Sequence, residues 1–301
     1  MTRQPTGTPA PAPQPGRLTL GVAGAGAMGR GIAQVAAQAG IAVLLYDVQD
    51  GAAAKAVATV REQFATLAGK GKLTAAAADA AGQKLRAAAT LDALAGCDII
   101  VEAIVEQLDA KRALFDALDT IVSDQCVLAT NTSSLSVTAI AAGARLPGRI
   151  AGCHFFNPVP LMKVVEVIAG ALTSPEATQA LTGFVRLVGH TPVQASDTPG
   201  FIVNHAGRGY LTEALRIVQE TVASFEQVDA VLRGAAGFRL GPFQLLDLTG
   251  LDVSHPVMES IYRQYYQEPR YRPSPITAQR LAAGLLGKKT GQGFYLSLIH
   301  I

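Results

Sequence analysis

Hydrophobic positions along the chain form two kinds of pattern, and the change between them predicts two kinds of domain. Short apolar runs bounded by glycine or polar residues predict buried strands. These runs lie at 18–23, 41–46, 98–104, 126–130, 150–155 and 164–168. Helical spacing occurs between them, as over 111–122, where apolar residues occupy positions 114, 115, 118, 121 and 122. Beyond about residue 196 the pattern predicts helices alone, over 201–221, 226–236, 242–265 and 275–286. The chain is therefore expected to be an α/β domain followed by an all-α domain.

The first predicted strand leads into the turn Gly24-Ala25-Gly26-Ala27-Met28-Gly29, then a small-residue helix and a second strand that ends at Asp47. Strand, G-x-G-x-x-G turn, helix, strand and terminal acid together make up a dinucleotide-binding unit. Gly24 permits the turn, Gly26 lets the backbone approach the pyrophosphate, and Gly29 lets helix and strand pack closely. Asp47 is expected to accept hydrogen bonds from ribose hydroxyls and to repel a 2′-phosphate. The sequence therefore predicts a Rossmann-type doubly wound, mostly parallel sheet that binds NAD in preference to NADP.

One imidazole and one carboxylate are the candidate acid–base pair. His154 lies in the strand before the Asn157-Pro158 turn, and Glu166 lies inside the apolar run 164–168. A carboxylate among valines indicates an inward-facing strand residue, and an inward charge needs a partner. If the two strands place these side chains together, Glu166 orients His154, which can take the proton of an alcohol at neutral pH. The alternative is a core histidine and an unrelated surface glutamate.

Three further polar positions are candidates for a site. Ser133 lies just beyond the carboxyl end of the strand 126–130, where ligands sit in open α/β sheets; the alternative is a helix N-cap. Asn204 lies one turn into a helix, where its amide can point toward a site, or it is an ordinary helix residue. Lys70 lies in a basic loop between helices, which is either a solvated junction or a contact for the phosphates of a substrate.

Composition and charge argue against several other classes of protein. Of the 301 residues, 49% are hydrophobic and 16% are charged, which is ample for a core and argues against global disorder. A net charge of +2 is too weak to indicate nucleic acid or an acidic membrane as a partner, and no long apolar run predicts a membrane span. Three cysteines without CxxC spacing predict reduced thiols in a cytoplasmic protein. The five histidines lack HxxxH or HxH spacing, so no metal site is predicted.

These patterns divide the chain into four segments. Residues 1–16, rich in Pro, Thr, Gln and Gly, predict a disordered leader, and residues 17–196 the NAD-binding Rossmann domain. Residues 197–295 are expected to form the helical domain. Residues 296–301 match the in-frame translation of a sequencing adapter, so they are predicted to be a non-native tail in place of a natural continuation.

Seven segments, taken together and in order, resemble the L-3-hydroxyacyl-CoA dehydrogenase family. They are VAGAGAMGRGIAQVAAQAG, VEAIVEQLDAKRALF, ATNTSSLSVTAIA, RIAGCHFFNPVPLMKVVEVI, DTPGFIVN, GPFQLLDLTGLD and GKKTGQGFY. HFFNPVP followed by VEV, and then TPGFIVN, are far more specific than the glycine turn. The chain departs from the family pattern at His205, where an arginine is expected after the asparagine.

The resemblance implies a role for each candidate residue. His154 is implied to be the catalytic base and Glu166 its orienting partner, with Ser133 and Asn204 as catalytic residues that position the substrate. The implied nucleotide contacts are Gly24, Gly26, Gly29, Asp47, Glu106, Lys111, Asn157 and Lys289. Lys70 lies where the coenzyme A contacts of the family fall, so it is an implied substrate contact.

By the same resemblance, the chain is expected to oxidise an L-3-hydroxyacyl-CoA reversibly to a 3-ketoacyl-CoA with NAD, in fatty-acid or phenylacetate catabolism. The stretch YRPS is similar to bacterial enzymes of phenylacetate catabolism that act on 3-hydroxyadipyl-CoA. The helical domain is expected to bind substrate and to form a homodimer. Two alternatives stay open. One is a related dehydrogenase of a hydroxy or sugar acid without coenzyme A, of the L-gulonate type, and the other is a catalytically silent NAD-binding protein.

Overall fold

The computed structural model describes residues 18–297, so the predicted leader at 1–16 and residues 298–301 of the predicted tail lie outside the described residues. The chain divides into two units, Met1–Asp197 and Thr198–Ile301, called here the first and the second unit. Among the described residues, no helix combines the length and the apolar character needed to cross a membrane.

One sheet organises the first unit, and within residues 18–297 it has eight strands. The strands are β1 (Thr19–Ala23), β2 (Ala42–Tyr46), β3 (Leu85–Ala87), β4 (Ile99–Glu102), β5 (Val127–Thr130), β6 (Ile150–Phe155), β7 (Val164–Ala169) and β8 (Thr191–Ser196). Their order across the sheet is β3-β2-β1-β4-β5-β6-β7-β8. β6 and β7 are antiparallel and every other neighbouring pair is parallel, which confirms the predicted doubly wound, mostly parallel sheet.

Helices cover both faces of this sheet. They are α1 (Ala27–Gln38), α2 (Ala52–Gly69), α3 (Ala75–Lys84), α4 (Leu108–Ile121), α5 (Val137–Ala141) and α6 (Pro175–Leu187). Side chains of α1, α2, α3 and α6 form one apolar cluster with the sheet, and those of α4 and α5 form a second. β4 is apolar at three successive positions because Ile99 and Val101 join the first cluster while Ile100 joins the second.

The apolar runs do not predict three elements of the first unit, namely β3, α6 and β8. β3 has three residues, and only the first of them is buried. β8 lies at the edge of the sheet and contains Pro192 and polar side chains, which suit an edge strand but give no buried run. α6 does show helical spacing, with Ala177, Leu181 and Phe184 buried on one face.

The second unit is helical, as predicted. Its helices within the described residues are α7 (Val203–Gln219), α8 (Phe225–Ala236), α9 (Pro242–Thr249), α10 (Leu251–Gln264) and α11 (Pro275–Ala282). α7, α8, α9 and α10 share an apolar cluster that includes Phe243, Leu246 and Met258. The prediction of a single helix over 242–265 is wrong, because Gly250 separates α9 from α10. Its φ of 86° lies in the left-handed region, which ends a helix and favours glycine.

Candidate active site

The glycine-rich turn between β1 and α1 has the geometry of a phosphate-binding turn. Gly24 has a φ of 111°, and a Cβ there would lie 2.4 Å from the carbonyl oxygen of Ala103, so only glycine fits. A Cβ at Gly29 would lie 1.8 Å from the carbonyl oxygen of Gly24, so α1 can pack this closely only without a side chain. A Cβ at Gly26 would meet nothing within 4 Å, so the backbone at the start of α1 is open to a ligand.

Asp47 lies beside this turn, just after β2. Its Oδ2 accepts a hydrogen bond from the Ala25 backbone at 2.7 Å, and its Oδ1 accepts one from the Gln49 backbone at 2.9 Å. A carboxylate has about four acceptor positions, so Asp47 retains capacity for ribose hydroxyls. The first turn of α1 has no acidic residue, which keeps its N-terminus favourable for phosphate. The residues of the turn therefore fit a dinucleotide.

The pairing of β6 with β7 brings His154 and Glu166 together. The antiparallel register places these residues directly opposite each other, and His154 Nδ1 lies 2.6 Å from Glu166 Oε2. The two side chains are only 6% and 1% exposed, so the alternative of an unrelated surface glutamate is wrong. Because an ionised carboxylate can only accept, this bond places the proton of a neutral imidazole on Nδ1 and the lone pair on Nε2. A base of this form can take a proton through Nε2.

A second buried cluster of charges lies between β4 and α4. Lys111 Nζ lies 2.6 Å from Glu102 Oε1 and 3.2 Å from Glu106 Oε2, and the lysine side chain is 1% exposed. Glu102 Oε2 also accepts a hydrogen bond from the hydroxyl of Thr130 at 2.7 Å. The sequence interpretation missed Glu102, although the argument used for Glu166, a carboxylate inside an apolar strand, applies to it equally.

Glu106 connects this cluster to the loop that carries Ser133. Its Oε1 accepts hydrogen bonds from the Thr132 hydroxyl at 2.5 Å, the Ser133 backbone at 3.0 Å and the Ser134 hydroxyl at 3.0 Å. Burial favours a higher pKa for Glu106, but the Lys111 ammonium and the donors of this loop outweigh it and hold the pKa below its ordinary value. A carboxylate that stays ionised therefore holds the backbone at Ser133.

Ser133 does not cap the helix that follows it. The N-cap of α5 is Ser136, whose Oγ accepts a hydrogen bond from the Ala139 backbone at 3.1 Å, so the N-cap alternative for Ser133 is wrong. Asn131, in the same loop, accepts a hydrogen bond from the Phe155 backbone at 2.8 Å through its Oδ1. The loop after β5 is thereby tied to the end of β6, the strand that carries the imidazole.

A cleft of about 430 Å³ opens in the first unit beside Asn157, the predicted nucleotide contact after β6. α1 and α2 form one side of it and the segment after Asn157 forms the other. Its lining includes the polar side chains of Arg30 and Gln63 and the apolar side chains of Leu67 and Leu161. Lys70, the residue that follows α2, is exposed and does not line the cleft.

Asn204 and Lys289 lie in the second unit. Asn204 is the second residue of α7, and the segment before this helix contains Phe201, which has a φ of 49°. Lys289 lies in a short 3₁₀ helix at residues 288–290, and its Nζ lies 2.5 Å from Oδ2 of Asp252. Both side chains of this ion pair are more than two-fifths exposed, at 44% and 41%.

His205, the departure from the family pattern, is held between two tyrosines of the second unit. Its Nδ1 lies 2.8 Å from the Tyr265 hydroxyl and its Nε2 lies 3.1 Å from the Tyr271 hydroxyl. The two phenol rings stack on each other with centroids 4.8 Å apart. A neutral imidazole has one donor and one acceptor nitrogen, so one phenol donates to the ring and the other accepts from it. This cluster anchors the first turn of α7, which also carries Asn204.

Comparison with known proteins gives two family matches, one to each unit. The family described as "3-hydroxyacyl-CoA dehydrogenase, NAD binding domain" matches residues 19–198. The family described as "3-hydroxyacyl-CoA dehydrogenase, C-terminal domain" matches residues 200–297. The two matches follow each other along the chain and together cover almost all of the described residues.

Individual relatives agree with these matches. The chain is 43% identical over 277 residues to a 3-hydroxyadipyl-CoA dehydrogenase of Escherichia coli K12, which covers 92% of this chain and 58% of the relative. It is 40% identical over 278 residues to a probable 3-hydroxybutyryl-CoA dehydrogenase of Deinococcus radiodurans, which covers 92% of this chain and 99% of the relative. The crystal structure of a 3-hydroxybutyryl-CoA dehydrogenase from Escherichia coli K12 superposes with a TM-score of 0.91 at 43% identity, covering 93% of this chain and 59% of that one. The chain thus spans less than two thirds of the length of the Escherichia coli relative.

Proposed function

Because the chain belongs to the 3-hydroxyacyl-CoA dehydrogenase family, a family of NAD-binding oxidoreductases, we propose that it oxidises L-3-hydroxyacyl-CoA thioesters reversibly to 3-ketoacyl-CoA thioesters. The relatives named for 3-hydroxyadipyl-CoA and 3-hydroxybutyryl-CoA support this class of substrate. The observation that carries the proposal is the buried contact of 2.6 Å between His154 and Glu166. Oxidation of an alcohol needs a base, and this pair has the form of an oriented base.

In the proposed mechanism, His154 Nε2 takes the proton of the substrate hydroxyl. The glycine turn and Asp47 would hold NAD, which would supply the acceptor for the hydride that leaves C3. Glu166 keeps the imidazole in one tautomer and stabilises the imidazolium that forms. In the reverse direction the imidazolium returns its proton to the oxygen of the ketone. Proton transfer by a positioned side chain contributes about 10²–10⁴ in rate, so positioning of the reactants has to provide much of the remainder.

Ser133 and Asn204 position the substrate in this proposal. The hydrogen bond from the Ser133 backbone to Glu106 supports the role of Ser133, because a held backbone limits where its hydroxyl can lie. The coenzyme A part of the substrate combines a long amide-containing arm with phosphates. The cleft beside Asn157 offers apolar walls and the guanidinium of Arg30 for these groups, and Lys70 stays a proposed coenzyme A contact.

The nucleotide is held by the glycine turn and Asp47, with further contacts from Glu106, Lys111, Asn157 and Lys289. Because the ammonium of Lys111 is buried against two carboxylates, its effect on the nucleotide is expected to pass through Glu106. The first unit is therefore proposed as the NAD-binding domain and the second as the domain for substrate and dimerisation.

The second unit exposes large apolar side chains, which supports a homodimer. Among them are Ile202, Val203, Ile217, Val222, Val231, Phe238, Leu248 and Val253. These exposed side chains are the proposed surface for association, and light scattering that gave the mass of a monomer would contradict the dimer. Fatty-acid or phenylacetate catabolism in the cytoplasm is the proposed setting.

The test of this function is NADH oxidation with acetoacetyl-CoA. His154→Gln is expected to lose about 10²–10⁴ in kcat and to keep its affinity for NADH, because only the proton transfer is removed. His190→Gln is the matched control. His190 is also a buried histidine of the first unit, bonded only to the carbonyl oxygens of Val188 and Val159 among the described residues, so most turnover should remain.

Three outcomes would contradict parts of the proposal. Full activity of His154→Gln would refute the assignment of the base. Equal activity of the parent with free acetoacetate would favour a dehydrogenase that does not need coenzyme A. Binding of NADH without turnover of any ketoacid or thioester would favour a silent NAD-binding protein.

A further inference from the structure

Arg208, in α7, is a buried cation without a buried anion. Arg208 is 8% exposed, and its Nη1 donates a hydrogen bond to the carbonyl oxygen of Ser254 at 3.3 Å. Its Nε has no hydrogen-bond partner, and Arg208 makes no ion pair within residues 18–297. Burial lowers the pKa of Arg208 to about 10. Burial of this guanidinium is therefore unfavourable, because no anion among the described residues compensates for its loss of solvation.

Such an arrangement is unfavourable for folding alone. Removing a charge from water costs several kcal/mol unless an opposite charge and good hydrogen bonds compensate, and an apolar side chain of similar volume is often the more stable choice. A guanidinium presents a planar set of donors that matches both oxygens of a carboxylate. The open donor capacity of Arg208 thus suits a carboxylate that arrives with a ligand.

The position of Arg208 along α7 indicates which ligand this is. Arg208 follows Asn204 by four residues, so the two side chains lie on the same face of the helix, with Cβ atoms about 5–6 Å apart. In a six-carbon dicarboxylic acyl chain, C3 is separated from the terminal carboxyl carbon by three bonds of about 1.5 Å each. One turn of helix therefore spans a distance comparable with that between the reacting carbon and the far carboxylate.

We propose that Arg208 binds the terminal carboxylate of a dicarboxylic 3-hydroxyacyl chain while Asn204 positions the carbon that reacts. The substrates of this chain are then thioesters whose acyl group ends in a carboxylate, of about adipyl length. This assignment rests on the proposed function, since it takes the role of Asn204 from that proposal. Arg208 is a specificity-determining residue here and takes no part in the proton or hydride transfer.

The test compares two substrates that differ only at their far end. 3-Oxoadipyl-CoA and 3-oxohexanoyl-CoA have the same number of acyl carbons, but the first ends in a carboxylate and the second in a methyl group. The parent protein is expected to have the higher kcat/KM for 3-oxoadipyl-CoA. In Arg208→Met the ratio of the two kcat/KM values should fall about 30-fold or more, because truncating one partner of a buried charge pair has effects of this size.

Arg216→Met is the matched control for this ratio. Arg216 lies on the same helix with its side chain 48% exposed, and its Nη1 lies 3.5 Å from Glu213 Oε1. Its removal should leave the ratio unchanged. Equal loss on both substrates in Arg208→Met would overturn the proposal, since it would show a purely structural role.

Two measurements keep the test decisive if Arg208→Met does not fold. The parent ratio is one of them, because a parent that does not prefer the dicarboxylic substrate overturns the proposal by itself. The other is binding of the unreactive thioesters adipyl-CoA and hexanoyl-CoA to the parent, where equal affinity also overturns it. Failure of the proposed function is distinguishable, because it would show as no NADH oxidation with either 3-oxo thioester.

Discussion

The buried cations of the two units have different kinds of partner. In the first unit, Lys111 contacts two carboxylates and Arg149 forms an ion pair with Asp119. In the second unit, Arg208 has only a backbone carbonyl as a partner among the described residues. The first unit therefore balances its buried charge with its own side chains, whereas the second leaves a guanidinium for a ligand to balance.

The contrast follows from how each unit is built. The parallel strands of the first unit end at one edge, so carboxylates from β4 and the following loop meet the first residues of α4 at fixed distances. Ion pairs whose positions are fixed by the strands of the sheet therefore form when the domain folds. The helical unit holds His205 between two phenols and Arg208 against a carbonyl, so neither group has a carboxylate partner among the described residues. Buried charges with an ion-pair partner are expected to contribute mainly to stability. The buried charge without such a partner is expected to contribute mainly to substrate specificity.

The largest effect on stability is expected from breaking the matched cluster. Lys111→Met leaves Glu102 and Glu106 without their cation, and loss of one partner of a buried ion pair typically costs about 3–5 kcal/mol. Urea unfolding followed by circular dichroism measures this loss. Arg216→Met, which removes an exposed pair, should cost no more than about 0.5 kcal/mol. Equal losses in the two variants would remove the distinction between the units.

A smaller effect is expected at His205. His205→Phe removes two hydrogen bonds to tyrosines and keeps a planar ring, so the free energy of unfolding should fall by about 1–2 kcal/mol. Tyr271→Phe removes only the longer of the two hydrogen bonds, so it should lower the free energy of unfolding by less. The same titration in urea measures both. A larger loss for Tyr271→Phe than for His205→Phe would contradict the view that the imidazole links the two phenols.

The smallest expected effect concerns the pH dependence that Glu106 contributes. Its pKa is lowered in the folded state, so its contribution to stability is present above the pKa of an unfolded glutamate, about 4.3, and is lost as pH falls through the folded value. Glu106→Gln should therefore unfold more easily than the parent at pH 6, and the difference should shrink toward pH 3. Glu213→Gln, in an exposed pair, should show no such convergence. A difference that stayed constant with pH would contradict the ionic role.

The apolar runs along the chain predicted the sheet, and they made the pairing of His154 with Glu166 one of two alternatives, which the structure decided. A carboxylate among valines has to find a partner, and the strand next to it in the chain carries the imidazole. The same logic predicts a partner for Glu102, but it cannot choose between Lys111 and any other nearby cation. The edge strand β8 gives no such signal, because partly exposed residues show no buried run.

Two features of the helical unit could not be predicted from sequence patterns, the break at Gly250 and the burial of Arg208. Gly250 inside an apolar stretch costs a helix only about 1 kcal/mol, so its presence does not decide between one helix and two. Only its positive φ in the structure does. Arg208 and Arg216 are both arginines within the helical pattern of α7. The sequence does not show that Arg208 is the one that is buried without a carboxylate partner. That difference depends on the packing of other helices around them.

The carboxylate of Glu106 has one oxygen facing Lys111 of α4, and the other accepts hydrogen bonds from the loop that carries Ser133. A single side chain therefore connects Lys111 to the backbone of Ser133. Variants that weaken this lysine should bind acyl thioesters less well and should also bind NAD less well, because Glu106 is a proposed nucleotide contact. Substrate affinity and coenzyme affinity would then both report on damage to the interior of the first unit.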